Sequence, residues 1–205
     1  VVGTGSVIFG GIDVRKYTGN LVKVPIIPAA ESPDGLTRFW VYVNEIKVNQ
    51  PGGNVVEVYT TPPGSKGQPV LLDSGYTLSA LPKAIMDKLV AAFPSAEYVP
   101  ESDVYVVDCL DPGQGGSLDF VFAGTTINVR YYDFIWHLHD SPYCVLGAFE
   151  DNGTSDCHTP PAPLFPQPRK RKESGKKAFP PDTTLTGPQN SPFLAIHFSG
   201  QLMCK

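Results

Sequence analysis

A carboxylate at the end of an apolar run is the feature of this sequence best suited to chemistry: Val70-Leu71-Leu72-Asp73-Ser74-Gly75, followed by Tyr76-Thr77-Leu78-Ser79-Ala80-Leu81-Pro82. Three apolar residues carry the chain through a buried strand, Asp73 ends it, and Gly75 permits a tight turn that pushes the carboxylate into a cleft. An acid is held rigidly that way. Asp-Ser-Gly by itself is also an ordinary turn, so the flanks carry the distinction. Other constellations are thinner. His137-Leu138-His139-Asp140 could set two imidazoles on one face of a strand for a metal, but no further ligand cluster follows it in sequence. Gly3-Thr4-Gly5 lacks the rest of a dinucleotide fingerprint, and Gly64-Ser65-Lys66 lacks a P-loop. No serine or cysteine nucleophile sits in an elbow motif.

The elements that must hold Asp73 read as strands. Short apolar or β-branched runs recur at Val1 to Phe9, Leu21 to Ile27, Phe39 to Val48, Val55 to Tyr59, Val70 to Leu72, Val104 to Cys109, Leu118 to Phe122 and Thr125 to Tyr131. Gly, Pro, Asn or Asp clusters separate many of them, the pattern of an all-β domain. One interval differs. From Pro82 to Phe93, Ile85, Met86, Leu89, Val90 and Phe93 fall on one helical stripe, with Pro82 suited to the first turn and Pro94 ending it. Tyr98 to Asp103 reads as loop and Asp111 to Gly116 as a turn-rich insertion.

The chain has 205 residues, enough for one substantial β domain. A formal net charge of −4 argues against a general nucleic-acid binder. The charge is divided unevenly: from Cys157 onward there are seven basic and two acidic residues, and before it nine basic and eighteen acidic. An acidic body suits work at low pH, where protonation relieves its self-repulsion. Arg169-Lys170-Arg171-Lys172 with Lys176-Lys177 reads as a nuclear-import or polyanion patch or, more often in a Pro-rich segment, as plain solvated charge, with nine of the 21 prolines lying after Cys157. That composition predicts little packing and no long sheet pairing for residues 157–205. No run of about 18 apolar residues predicts a membrane span. Asn152-Gly153-Thr154 is a glycosylation sequon, and equally a plain turn.

The Asp73 segment resembles the Asp-Ser/Thr-Gly signature of the pepsin-like aspartic proteases, and its flanks match the second of that family's two copies, most like the fungal secreted type. The resemblance continues through Gly5-Ser-Val-Ile-Phe-Gly-Gly-Ile-Asp13 with Tyr17-Thr18-Gly19, Phe39-Trp40-Val41-Tyr42-Val43, Tyr105-Val-Val-Asp-Cys109, and Leu118-Asp-Phe-Val-Phe122 with Gly124. It covers residues from about 5 to about 150. It implies the all-β C-terminal lobe of a bilobal fold with one or two short helices, over residues 1–156, followed by a Pro-rich basic tail over 157–205. The start on Val1-Val2-Gly3 without a Met is read as a truncated left end. On the right the resemblance stops: an Ile-Leu-Gly-Asp-x-Phe-Leu-Arg segment and a closing strand are expected after Cys144-Val145-Leu146-Gly147, and the Pro-rich tail stands in their place.

The resemblance implies an aspartic endopeptidase that acts on polypeptides at acid pH, with no cofactor and no metal. Two aspartates there share one proton and activate water, because two adjacent carboxylates cannot both ionise cheaply. Asp73 is one of the pair; the other belongs to a first lobe, so this chain alone is expected to be inactive. Ser74 and Gly75 match the supporting positions of the catalytic loop, and Tyr76, Thr77 and Leu78 the substrate side. Tyr76 departs from the usual Ser or Thr, whose hydroxyl holds the carboxylate, which leaves open a pseudoenzyme or non-catalytic binding protein. Cys109 and Cys144 resemble the family's disulfide, which implies an oxidising compartment and a secreted or vacuolar protein. Cys157 and Cys204 have no counterpart and are expected to stay free.

Overall fold

The computed structural model describes residues 9–16, 19–73, 78–111, 113–138 and 143–151, and the backbone of 195–198. Among these the architecture is all-β with two short helices. The strands are β1 (Trp40–Val43), β2 (Glu45–Asn49), β3 (Val55–Thr60), β4 (Gln68–Asp73), β5 (Ser79–Pro82), β6 (Glu97–Val99), β7 (Val104–Asp108), β8 (Ser117–Phe122), β9 (Thr125–Arg130), β10 (Trp136–His137), β11 (Tyr143–Val145), β12 (Ala148–Asp151) and β13 (Ala195–Phe198). The helices are α1 (Lys83–Ala91) and α2 (Tyr131–Phe134).

They form four small sheets, ordered β3-β2-β8-β9, β10-β11-β7-β6, β1-β4-β13 and β12-β5. The first is antiparallel and amphipathic: Ile46, Val48, Val58, Leu118, Phe120 and Phe122 point inward, while Lys47 and Glu57 alternate with them on the partly or fully exposed face. Helix α1 follows the predicted stripe. Ile85, Met86 and Leu89 are buried, and Phe93 just past the helix is buried as well. Pro82 stands immediately before the helix, where its missing N–H costs nothing. These side chains join the β core in one continuous cluster that reaches Val70 on β4 and Leu146 beside β12.

Three expectations need correction. Phe39 to Val48 is not one strand: the chain leaves one sheet and enters another at Asn44. The Asn44 amide N–H bonds Val121 O (2.7 Å), its side-chain Nδ2 bonds Lys66 O (3.1 Å), and its Oδ1 accepts the Ala123 N–H (2.9 Å). Those bonds fix a corner that apolar patterning does not register. Leu21 to Ile27 forms no strand; among the described residues only its Ile27 N–H finds a backbone partner, Trp40 O at 2.8 Å. Tyr98 and Val99, the start of the segment read as loop, belong to β6 and pair with β7.

The tail also differs from expectation at one place. Ala195–Phe198 forms β13 and pairs antiparallel with β4 across four residues. Averaged over fifty residues the prolines argue against a ladder, but none falls within Ala195–Phe198, and a strand needs only a short proline-free run.

Candidate active site

Asp73 is the last residue of β4, the middle strand of its sheet. On one side β1 pairs in the register Trp40↔Leu71 and Val41↔Val70; on the other Ala195 faces Asp73 and Ile196 faces Leu72. The Leu72 N–H bonds Phe39 O at 3.2 Å. A strand held on both edges has little freedom at its end, so the direction of the Asp73 backbone is set by its neighbours. Val70 is fully buried, while Leu71, Leu72 and Asp73 are partly buried, so β4 rises out of the core toward its carboxylate.

The strand that leaves the turn is fixed by a different sheet. β5 runs parallel to β12 (Ser79↔Ala148, Ala80↔Phe149), and the Ser79 N–H bonds Gly147 O at 2.9 Å. Gly147 can occupy that place only without a side chain: a Cβ there would lie 2.0 Å from the Phe134 carbonyl oxygen. Phe134 and Ile135 are buried, so the carbonyl has nowhere cheap to go. Residues 74–77 thus span two ends held by separate sheets. Leu78, expected on the substrate side, is buried among Val104, Trp136, Leu138 and Val145.

The first residue of β1 has its own anchor. The Asp34 carboxylate accepts the Leu36 N–H (3.0 Å) and the Trp40 indole N–H (3.1 Å), lies 3.2 Å from Ser32 Oγ, and pairs with Arg38 Nε at 2.8 Å. Burial pushes its pKa up, but these donors outweigh burial and hold it below the ordinary carboxylate value. The indole bond ties this carboxylate to Trp40, the first residue of β1.

Cys109 and Cys144 form the expected disulfide, with Cα atoms 5.0 Å apart. It ties the end of β7 to β11 across a sequence separation of 35. His137 stands directly opposite Cys144 in the β10–β11 pair, with Nδ1 3.4 Å from the Cys144 sulfur. Burial lowers the His137 pKa, partly countered by the charge of Asp111.

Of the residues expected to do chemistry, Asp73 sits where the sequence placed it, at a strand end. Ser74, Gly75, Tyr76 and Thr77 lie outside the described residues, as do His139, Asp140, Asn152, Cys157 and Cys204. Reasoning from the sequence passed over Gly147, and it grouped His137 with His139 and Asp140 rather than with Cys144. The signal for Gly147 was a glycine between the apolar pairs Val145-Leu146 and Ala148-Phe149, with no turn residue beside it. For His137 no sequence signal pointed to Cys144 rather than to His139.

The family profile of eukaryotic aspartyl proteases matches residues 2–158. Among curated proteins, the chain is 32% identical over 155 residues to aspartic proteinase 3 of Saccharomyces cerevisiae, covering 73% of this chain and 26% of that protein. It is 34% identical over 152 residues to secreted aspartic protease 8 of Candida albicans, covering 74% of this chain and 32% of that one. The chain therefore spans about a quarter to a third of the length of these relatives. Among solved structures it is similar to an aspartic proteinase from Irpex lacteus, with TM-score 0.48 and 19% identity over 73% of this chain and 42% of that one. With the profile matching well over half of its length, the chain belongs to the eukaryotic aspartyl protease family.

Proposed function

We propose that this chain supplies the C-terminal half of an aspartic endopeptidase active site, with Asp73 as one of two catalytic carboxylates. The observation that carries the reading is the setting of Asp73: the end of a strand held on both edges, in a family member whose sequence continues Ser74-Gly75. In the mechanism the family implies, Asp73 and a second aspartate share one proton; the ionised member takes a proton from water as it attacks the peptide carbonyl, and the protonated member donates to the developing oxyanion. Ser74 and Gly75 support the loop, and Tyr76 and Thr77 face the polypeptide substrate.

A second lobe bearing the other aspartate completes the site. Phe39, whose carbonyl bonds Leu72, is 67% exposed, and Leu21, Val22 and Ile26, in the segment whose Ile27 bonds Trp40, are exposed too, apolar surface suited to burial against another body. The disulfide and the secreted relative support a secretory-pathway location, and Asn152 is a site for glycan attachment there. No helix among the described residues is long and apolar enough to cross a membrane.

One carboxylate cannot perform both proton transfers, so the chain alone should be silent in an acid-pH peptide-cleavage assay. Fused behind a first lobe carrying its own Asp-Thr-Gly or Asp-Ser-Gly, it should give pepstatin-sensitive cleavage that Asp73→Asn abolishes. Cleavage that survives Asp73→Asn overturns the assignment. Tyr76 favours a second reading, a pseudoenzyme that binds peptides without cutting them. In that case the fused protein is silent and binds pepstatin, and Tyr76→Thr raises its rate.

A further inference from the structure

The cluster of Cys109, Cys144 and His137 lies outside the proposed active site and uses residues from three strand segments. Cys144 is in the middle of β11, His137 opposes it on β10, and Cys109 follows the last residue of β7, the strand on the other side of β11. The potential ligand atoms of all three lie within 4.8 Å of one another. A tetrahedral Zn²⁺ with bonds of about 2.3 Å to sulfur and about 2.0 Å to nitrogen sets sulfur and nitrogen ligands roughly 3.5 Å apart. His137 Nδ1 is already 3.4 Å from the Cys144 sulfur. The two sulfurs, once no longer bonded to each other, come to rest near van der Waals contact, close to the separation of about 3.8 Å that one zinc ion imposes on two thiolates.

We infer that, when the Cys109–Cys144 disulfide is opened, these two thiolates and His137 Nδ1 form a zinc site that replaces the covalent link between the same strands. The exchange balances with a dithiol as reductant. The dithiol closes to a cyclic disulfide as it delivers two electrons and two protons to the sulfur–sulfur bond, leaving two cysteine thiols. Zn²⁺ then displaces the two thiol protons and accepts the Nδ1 lone pair, and water takes the fourth position on the exposed Cys109 side. The ring is positioned for this role: the Tyr132 ring, 4.6 Å away between centroids, packs beside it. Two sulfurs and one nitrogen suit Zn²⁺ over Mg²⁺ or Ca²⁺, which take oxygen ligands.

The test uses the full chain carrying Cys157→Ser and Cys204→Ser, so that no other thiol competes, reduced with a phosphine and titrated with Co²⁺ under anaerobic conditions. The expected result is one cobalt per chain with thiolate-to-cobalt charge transfer and tetrahedral d–d absorption, displaced by Zn²⁺ and absent from the oxidised protein. His137→Ala should weaken apparent cobalt affinity by roughly tenfold or more and alter the d–d bands. If reduction unfolds the chain, added Zn²⁺ should restore its β-sheet circular dichroism, and His137→Ala should require more Zn²⁺ to do so. Absence of tetrahedral cobalt absorption, failure of Zn²⁺ to restore a lost fold, or identical behaviour of His137→Ala overturns the inference.

Discussion

Gly147→Ala is the substitution that most directly tests how β5, the strand that follows Asp73, is held. The added methyl carbon would sit 2.0 Å from the Phe134 carbonyl oxygen and 3.1 Å from its carbonyl carbon, against a comfortable carbon–oxygen separation of about 3.3 Å. Relief requires a movement of roughly 1 Å between two backbone segments, and neither is free to move. Phe134 is buried on α2, and the Gly147 carbonyl is the acceptor for Ser79. Inserting one carbon into a packed interior typically costs about 1–3 kcal/mol, and a clash of backbone with backbone belongs at or above the upper end. A cost near 3 kcal/mol in a chain of this size lowers the thermal midpoint by roughly 6–12 °C. Gly113→Ala is the matched control, since a Cβ there meets nothing within 4 Å and its backbone is not in the left-handed region. It should lie within about 0.5 kcal/mol of the parent or gain slightly from a stiffer unfolded chain. Chemical denaturation of the three proteins decides the matter. Equal midpoints for the two variants would refute the claim that Phe134 and Gly147 are packed backbone to backbone, and with it the fixed start of β5.

Replacing Cys109 and Cys144 with Ala should cost roughly 3–4 kcal/mol by loop-closure entropy for a separation of 35, read as a shift of the guanidinium midpoint; a loss under about 1 kcal/mol would mean that the bridge constrains little. Met86→Ala, at a fully buried position in the main core, should cost about 2–5 kcal/mol, whereas Lys88→Ala on the exposed face of α1 should stay within about 0.5 kcal/mol. Asp34→Asn should destabilise at neutral pH. Because the folded-state pKa of Asp34 is depressed, its contribution is present above the unfolded value of about 3.9 and fades as pH falls through the lower folded value, so the gap between parent and variant in urea melts should close only below about pH 4; a constant gap down to the lowest pH would refute it. Removing residues 190–205 should speed amide exchange at Leu71 and Asp73, which strand alternation turns toward β13, and spare Leu72, which bonds Phe39; unchanged exchange at all three would show that β13 does not cover β4.

How much of this fold was legible in the sequence follows from how local each signal is. The α1 stripe was read correctly because Ile85, Met86 and Leu89 report a period that one segment carries by itself, and β8 and β9 were read as two separate runs because Ala123-Gly124 divides them, although their pairing with each other was not. Strand boundaries failed where tertiary bonding decides them. Nothing in Val43-Asn44-Glu45 says that the chain changes sheets there, since the partners Lys66, Val121 and Ala123 are 22 or more residues away. Leu21 to Ile27 has strand composition but no ladder, and composition cannot supply a neighbour. β13 was hidden by the opposite error, a short proline-free run averaged into a proline-rich segment.

The site divides along the same line. Asp73 is readable because an acid ending an apolar strand, followed by Ser-Gly, is written in consecutive residues. What fixes its turn is not. The entry is held by strands 30 residues before it and more than 120 after it, and the exit by a glycine that is needed only because Phe134 passes behind it. His137 shows the point most sharply. In sequence its nearest candidate partners are His139 and Asp140; in the fold the β10–β11 register sets it opposite Cys144, and the disulfide adds Cys109 from the far side. A ligand cluster drawn from three strand segments has no spacing that a linear motif could encode. A candidate carried by consecutive residues was therefore visible from the sequence alone, and a cluster assembled across strands required the register.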